Sequence, residues 1–178
     1  MKYALIMAVL ASPAFADCPA GPDYTSDIET LVQRMQTAPH EGAARGLSAQ
    51  MWDIWLDAPD ELAQAMLNEG LALNQMGDRA ASRTKLSELV EYCPTYAEGY
   101  NQRAFASFLL NDFEEALVDL DAAIALQPVH LGALTGKVLT LIRLERDDEA
   151  QDVLRTALAI NPWLAERALL DGPLGTDL

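Results

Sequence analysis

Few residues in this chain combine the type and the spacing that chemistry requires. Its 178 residues include two histidines, His40 and His130, and two cysteines, Cys18 and Cys93. Neither histidine has a serine, cysteine or carboxylate at a recognisable nucleophile spacing, so the catalytic constellations of acyl transfer are missing. The run Gly132-Ala133-Leu134-Thr135-Gly136-Lys137 imitates a phosphate-cradling loop. It is one residue short, is followed by Val138 and falls inside a helical stretch, so it is set aside. Asp119 with Asp121, and Asp147-Asp148-Glu149, gather carboxylates without the loop glycine or the ligand spacing of a calcium site. They read as solvated helix faces, and His130 reads as a solvated histidine in a turn. No metal, cofactor or catalytic residue is expected from these patterns.

Composition narrows the partners. Twenty-seven acidic residues face twelve basic ones, for a net charge of −15. Such a surface cannot release phosphate counterions, which excludes nucleic-acid binding as a main task. With 51% hydrophobic and 22% charged residues the chain can bury a core, which excludes wholesale disorder. At the start, Lys2 precedes the apolar run from Ala4 to Ala11, and Pro13-Ala14-Phe15-Ala16 follows. This predicts a secretory signal peptide over residues 1–16, cut between Ala16 and Asp17. The run is far shorter than the roughly 20 apolar residues that span a bilayer. Asp17 before Cys18 argues against a lipoprotein cut. The expected location is the bacterial periplasm, with release from the cell left open. In an oxidising compartment Cys18 and Cys93 can pair, closing a loop worth roughly 4 kcal/mol in the chain-entropy picture. The alternative is a free Cys18 on a loose terminus and a Cys93 that merely fills a turn.

The elements that would position these residues are written in a repeat. Pro94, Pro128 and Pro162 are 34 residues apart, and the same step links Leu86, Leu120 and Leu154, then Ser82, Ala116 and Ala150, then Val90, Ile124 and Leu158. Each unit holds two apolar stretches of helical period, parted by Gly77-Asp78, Asn111-Asp112 and Glu145-Arg146. Gly77 and Asn111 suit the left-handed residue that closes a helix, and Asp78 and Asp112 suit the cap of the next. Each unit is therefore predicted to be a helical hairpin.

Over residues 63–164 the pattern resembles the tetratricopeptide repeat (TPR) family. The second unit carries Ala97, Glu98, Tyr100, Ala104, Asp112, Phe113, Ala116, Leu117, Ala123 and Pro128 at the family's positions. The outer units keep Gly70, Gly77, Asp78, Ser82 and Pro94, then Ala150, Ala157 and Pro162, but Arg79 and Asp147 replace the aromatic that Phe113 supplies. The resemblance implies an all-α superhelix, a TPR solenoid with units 63–96, 97–130 and 131–164. Residues 17–62 are expected to form an N-terminal segment and a capping hairpin, with stripes through Ile28, Leu31, Val32 and Met35 and through Leu47, Met51, Ile54 and Trp55. Residues 165–178 are expected to hold a capping helix, running from Trp163 to about Leu170, and a tail. The whole fits a small secreted bacterial TPR protein.

The same resemblance implies a concave groove lined by the first helix of each unit. Its mapped partner-binding residues are Leu71, Asn74, Glu98, Asn101, Phe105, Phe108, Leu139 and Arg143, an apolar floor with polar edges that suits a peptide or partner protein. Either the groove is open along its length or the leading hairpin covers part of it. Family members that clamp a C-terminal carboxylate use lysine and asparagine where this chain has Leu67, Leu71 and Gly132, which argues against that ligand class. Arg103 occupies a usually apolar position and needs a carboxylate, for which Asp119 or Asp121 is at hand. The functional expectation is a non-enzymatic interaction module. The alternative is a helical protein that binds a small ligand or metal, with an enzymatic role left open and Glu98, Asn74 and Arg143 converging on a pocket.

Overall fold

The computed structural model describes residues 18–170, so the expected signal peptide and the tail beyond 170 lie outside the described residues. Eight α-helices and one short 3-10 helix make up the described elements, with no strand among them. The chain forms α1 (Thr25–Gln36), α2 (Glu41–Trp55), α3 (Glu61–Gln75), α4 (Arg79–Tyr92), α5 (Ala97–Leu109), α6 (Phe113–Leu126), α7 (Leu131–Arg143) and α8 (Asp147–Ile160).

Helices α3/α4, α5/α6 and α7/α8 are antiparallel hairpins, and each packs on the next. Small side chains set the spacing. Ala104, Ala116, Ala123 and Ala133 are buried where α5, α6 and α7 meet, and Leu120 fills the space beside them. Between α3 and α4 the Ser82 hydroxyl donates to the Gly70 carbonyl at 2.8 Å. A Cβ on Gly70 would meet Leu86 at 2.7 Å, so only glycine allows this approach.

The turns inside the hairpins share one geometry. Gly77, Asn111 and Glu145 take left-handed φ values of 86°, 65° and 58°. After each, an N–H reaches back five residues: Asp78 to the Leu73 carbonyl, Asp112 to Ser107, and Arg146 to Leu141. These bonds satisfy carbonyls that a helix end leaves unpaired. Glu145 holds that conformation without the relief that glycine or asparagine enjoys.

Cys18 and Cys93 form a disulfide, with their Cα atoms 5.1 Å apart. It ties the N-terminal segment to the end of α4, where Cys93 is fully buried.

The leading hairpin α1/α2 does not stack on α3. Its apolar face, with Leu31, Met35, Leu47, Met51 and Trp55, forms one core with Leu131 and Leu134 of α7 and Ala157 and Ile160 of α8. The hairpin closes over the third unit and the first turns of α5 and α7. Polar bonds fix it there. Gln36 donates to the Ala159 carbonyl at 3.0 Å, Trp163 to the Ala38 carbonyl at 3.0 Å, and Tyr96 to the Trp55 carbonyl at 2.7 Å.

Under this lid lies a buried polar pair. His130 and Glu98 are both without side-chain exposure, and His130 Nε2 is 2.8 Å from Glu98 Oε2. His130 Nδ1 accepts the Ala133 N–H at 3.2 Å, which caps α7 and leaves the proton on Nε2 to be donated to Glu98. Asn101 donates to the same carboxylate at 3.0 Å and Gln102 at 2.5 Å. The Trp55 ring stacks on the imidazole, with centroids 4.2 Å apart and planes 14° from parallel. The expectation of a solvated turn histidine is therefore overturned. The turn is where it was read, but two tryptophans of α2 exclude water from it.

The expected C-terminal helix is also shorter than read. A 3-10 helix spans Ala165–Leu169 only. Asn161 accepts the Trp163 N–H at 3.0 Å in a local turn, and Leu164 is extended at ψ 143°, so the chain cannot run on as α-helix from Pro162. Leu164 and Leu170 still pack against the apolar core of Val138, Leu141, Ala150, Leu154 and Leu158.

Two outcomes follow for stability. Glu98→Ala strands the His130 ring N–H and the Asn101 and Gln102 amides, and should cost on the order of 3 kcal/mol in urea denaturation, with tryptophan emission shifted to the red; an unchanged midpoint would show that the pair does not hold the lid. Glu145→Gly removes the left-handed penalty and should raise stability by about 1 kcal/mol, read from the same transition.

Candidate functional site

Along the concave side, α5 and α7 present their side chains to an open pocket of about 310 Å³. Phe105 and Phe108 of α5 and Leu139 of α7 supply its apolar walls, and Trp52 of α2 closes one end. Helical spacing explains the arrangement. Asn101, Phe105 and Phe108 lie on one face of α5, and Thr135 and Leu139 lie one turn apart on α7. Gly132 and Gly136 keep the α7 wall low. A Cβ at Gly132 would strike Trp52 at 2.6 Å, and one at Gly136 would crowd Leu120 at 3.0 Å.

The eight residues read from the sequence do not all meet. Asn101, Phe105, Phe108 and Leu139 line the pocket together. Phe105 is 49% and Leu139 38% exposed; other large apolar side chains are exposed elsewhere, but these two line the same pocket. Glu98 departs from expectation: at 1% exposure it lies beneath the lid, and its carboxylate is taken by His130, Asn101 and Gln102. Asn101 is mostly buried for the same reason, with its amide turned to Glu98. Leu71 packs into the core of the first unit beside Leu67 and Leu86, outside this pocket. Asn74, near the end of α3, lies outside it too, and its buried Oδ1 has no partner among the described residues.

Arg143 stands at the far end of α7, one turn beyond Leu139. Its guanidinium lies 4.5 Å from the centre of the Phe113 ring and 6.0 Å from that of Phe108, and it contacts Asn111 Oδ1 at 3.5 Å. Among the described residues no carboxylate comes within ion-pair distance of it, while Lys137 is held by Asp121 at 2.6 Å and Arg146 by Glu149 at 2.6 Å.

Sequence reasoning missed Trp52 as a wall of the pocket and His130 as the buried partner of Glu98. A pair of tryptophans three residues apart on an amphipathic helix signals a large apolar footprint, yet nothing local says what that footprint covers. Arg103 takes the first of its two candidate partners: its guanidinium meets Asp119 with both carboxylate oxygens, at 2.6 and 2.8 Å, which holds the guanidinium more firmly protonated than usual. Burial pushes the Tyr96 phenol well above its ordinary range, so it stays a donor to the Trp55 carbonyl. Among the described residues no group of three or more histidines, cysteines or carboxylates could hold a metal ion, and no helix is long and apolar enough to cross a membrane.

No family model matches the chain. A TPR repeat-containing protein of Rhizobium etli is 32% identical over 56 residues, 32% of this chain and 28% of that protein. Tetratricopeptide repeat protein 36 of Xenopus tropicalis is 30% identical over 112 residues, 61% of this chain and 55% of that protein. The chain thus spans about half or less of the curated relatives it matches. Among solved structures, the first TPR of Spaghetti (RPAP3), bound to an HSP90 peptide, superimposes with a TM-score of 0.58 at 20% identity, over 60% of this chain and 87% of that one. The TPR2AB domain of yeast Sti1, in complex with pHSP90, gives 0.58 at 21%, over 81% and 61%. MamA gives 0.55 at 21%, over 74% of each chain. By fold the chain is a TPR solenoid, and the curated relatives reported above carry TPR names.

Proposed function

We propose that this chain is a non-enzymatic interaction module that holds a segment of a partner protein in the open part of its groove, in the bacterial periplasm after removal of residues 1–16. One observation carries the reading: Phe105 and Leu139, half-exposed and side by side, line a concave apolar pocket whose wall Trp52 completes. Large apolar side chains that could be covered and are not mark a surface kept for a partner. Two proteins of the same fold were solved with HSP90 ligands, which supports a peptide as the class of occupant. The positions that clamp a terminal carboxylate in such proteins are Leu67, Leu71 and Gly132 here, so the occupant is read along its length and not by its end.

The chemistry around the pocket supports binding over catalysis. Both ring nitrogens of His130 are engaged within the fold, one on Ala133 and one on Glu98. His40 caps α2 through the Ala43 N–H at 3.1 Å. Neither is poised as a base next to a nucleophile.

Phe105→Ser combined with Leu139→Asn should lower crosslinking to envelope proteins at least tenfold while far-ultraviolet circular dichroism stays helical; undiminished crosslinking would end the groove assignment. Mass spectrometry of the exported chain should give an N-terminus at Asp17.

A further inference from the structure

The open end of the groove has a charge character of its own. In a chain with 27 acidic and 12 basic residues, none of the side chains lining the pocket carries a charge. Glu98, one turn below the pocket, is sealed from it by the Asn101 and Gln102 amides that bond its carboxylate. At the mouth stands Arg143, exposed, propped on the Phe113 and Phe108 rings and within reach of no carboxylate of the described chain. Phe108 is shared: it is a wall of the pocket and a platform for the guanidinium.

A guanidinium stacked on aromatic rings is stripped of part of its hydration and held in place, so it loses little freedom on meeting a carboxylate. Nearby cations behave otherwise, because Lys137 and Arg146 already have acidic partners. The pocket itself offers an incoming chain mostly apolar surface. From Leu139 to Arg143 is one helical turn, about 6 Å along the axis, so an anchor over Leu139 would set its own residue one turn further on above the guanidinium.

We infer that the groove selects a partner segment with an apolar anchor and an acidic residue about one helical turn from it, the anchor entering between Phe105, Phe108 and Leu139 and the carboxylate meeting Arg143. The inference rests on the groove reading above and adds to it the chemistry that decides which segments bind. The contact is a discriminator more than a source of affinity. A solvent-facing pair of this kind is worth at most about fivefold in binding, whereas an acidic groove edge would repel the same segment.

The test is selection from a random library of 12-residue displayed peptides on the full chain, followed by affinity measurement on synthetic copies of the selected peptides. The expected result is a set of binders that depends on Phe105 and Leu139 and is enriched in Glu or Asp three or four residues from a large apolar residue. Replacing that acid by Gln should then weaken binding about fivefold on the wild-type chain and leave it unchanged on Arg143→Gln. Arg143→Glu should prefer the Lys version of the same peptide. Groove-dependent binders with no acidic bias, or with affinities that Arg143→Glu does not alter, would overturn this inference and leave the groove reading standing. A library that yields no Phe105-dependent binder would overturn both. Dimerisation of the chain that is lost in the Phe105→Ser, Leu139→Asn variant would make a second copy the occupant and overturn the acidic-segment assignment.

Discussion

The structure turns on a single arrangement, an imidazole and a carboxylate placed where no water reaches. Glu98 lies in the first turn of α5 and His130 caps α7, and Trp55 of the leading hairpin lies flat on the imidazole. A charged carboxylate in such a place is tolerable only if each oxygen is paired, and here a histidine and two amides do that. The hairpin, the start of α5 and the cap of α7 each contribute one member. Removing either polar member leaves the other's buried groups unpaired, and the Trp55 ring covers the imidazole only when the lid is seated in this position.

That constraint shapes the groove. A TPR array of this length would offer a concave face from end to end. Here α2 covers the first turns of α5 and α7, and a polar strip that could have faced a partner becomes interior. What is left is shorter and more apolar, walled by Trp52 on the lid side and by Phe105, Phe108 and Leu139 elsewhere. The N-terminal hairpin therefore sets where the open part of the groove begins.

Much of the fold was legible because it is local. The 34-residue recurrence of proline and small residues located the hairpins, and the left-handed closures fell at Gly77 and Asn111 as their residue types required. The buried alanines of α5 and α6 follow from the same spacing. What could not be read was long-range. Which face of the stack the first hairpin covers depends on apolar surface brought together from residues more than a hundred positions apart, as between Gln36 and Ala159. Glu98 and His130 looked like surface residues because charged and turn residues usually are. Their burial is decided by Trp52 and Trp55, whose destination no neighbouring residue announces. The groove residues were legible in proportion: Phe105, Phe108 and Leu139 follow from helix faces, whereas the loss of Glu98 follows from the lid.

The contact between the first hairpin and the last unit also changes what kind of repeat protein this is. A free-ended solenoid has independent ends, frays from them and tolerates the gain or loss of a unit. Here Ala38 meets Trp163 and Ser48 meets Asn161, so the beginning of the described chain is fastened to its end. One more 34-residue insert would carry α8 out of reach of α1 and uncover the core they share. Growth by duplication between α2 and α8 would therefore cost the hairpin its seat on the last unit.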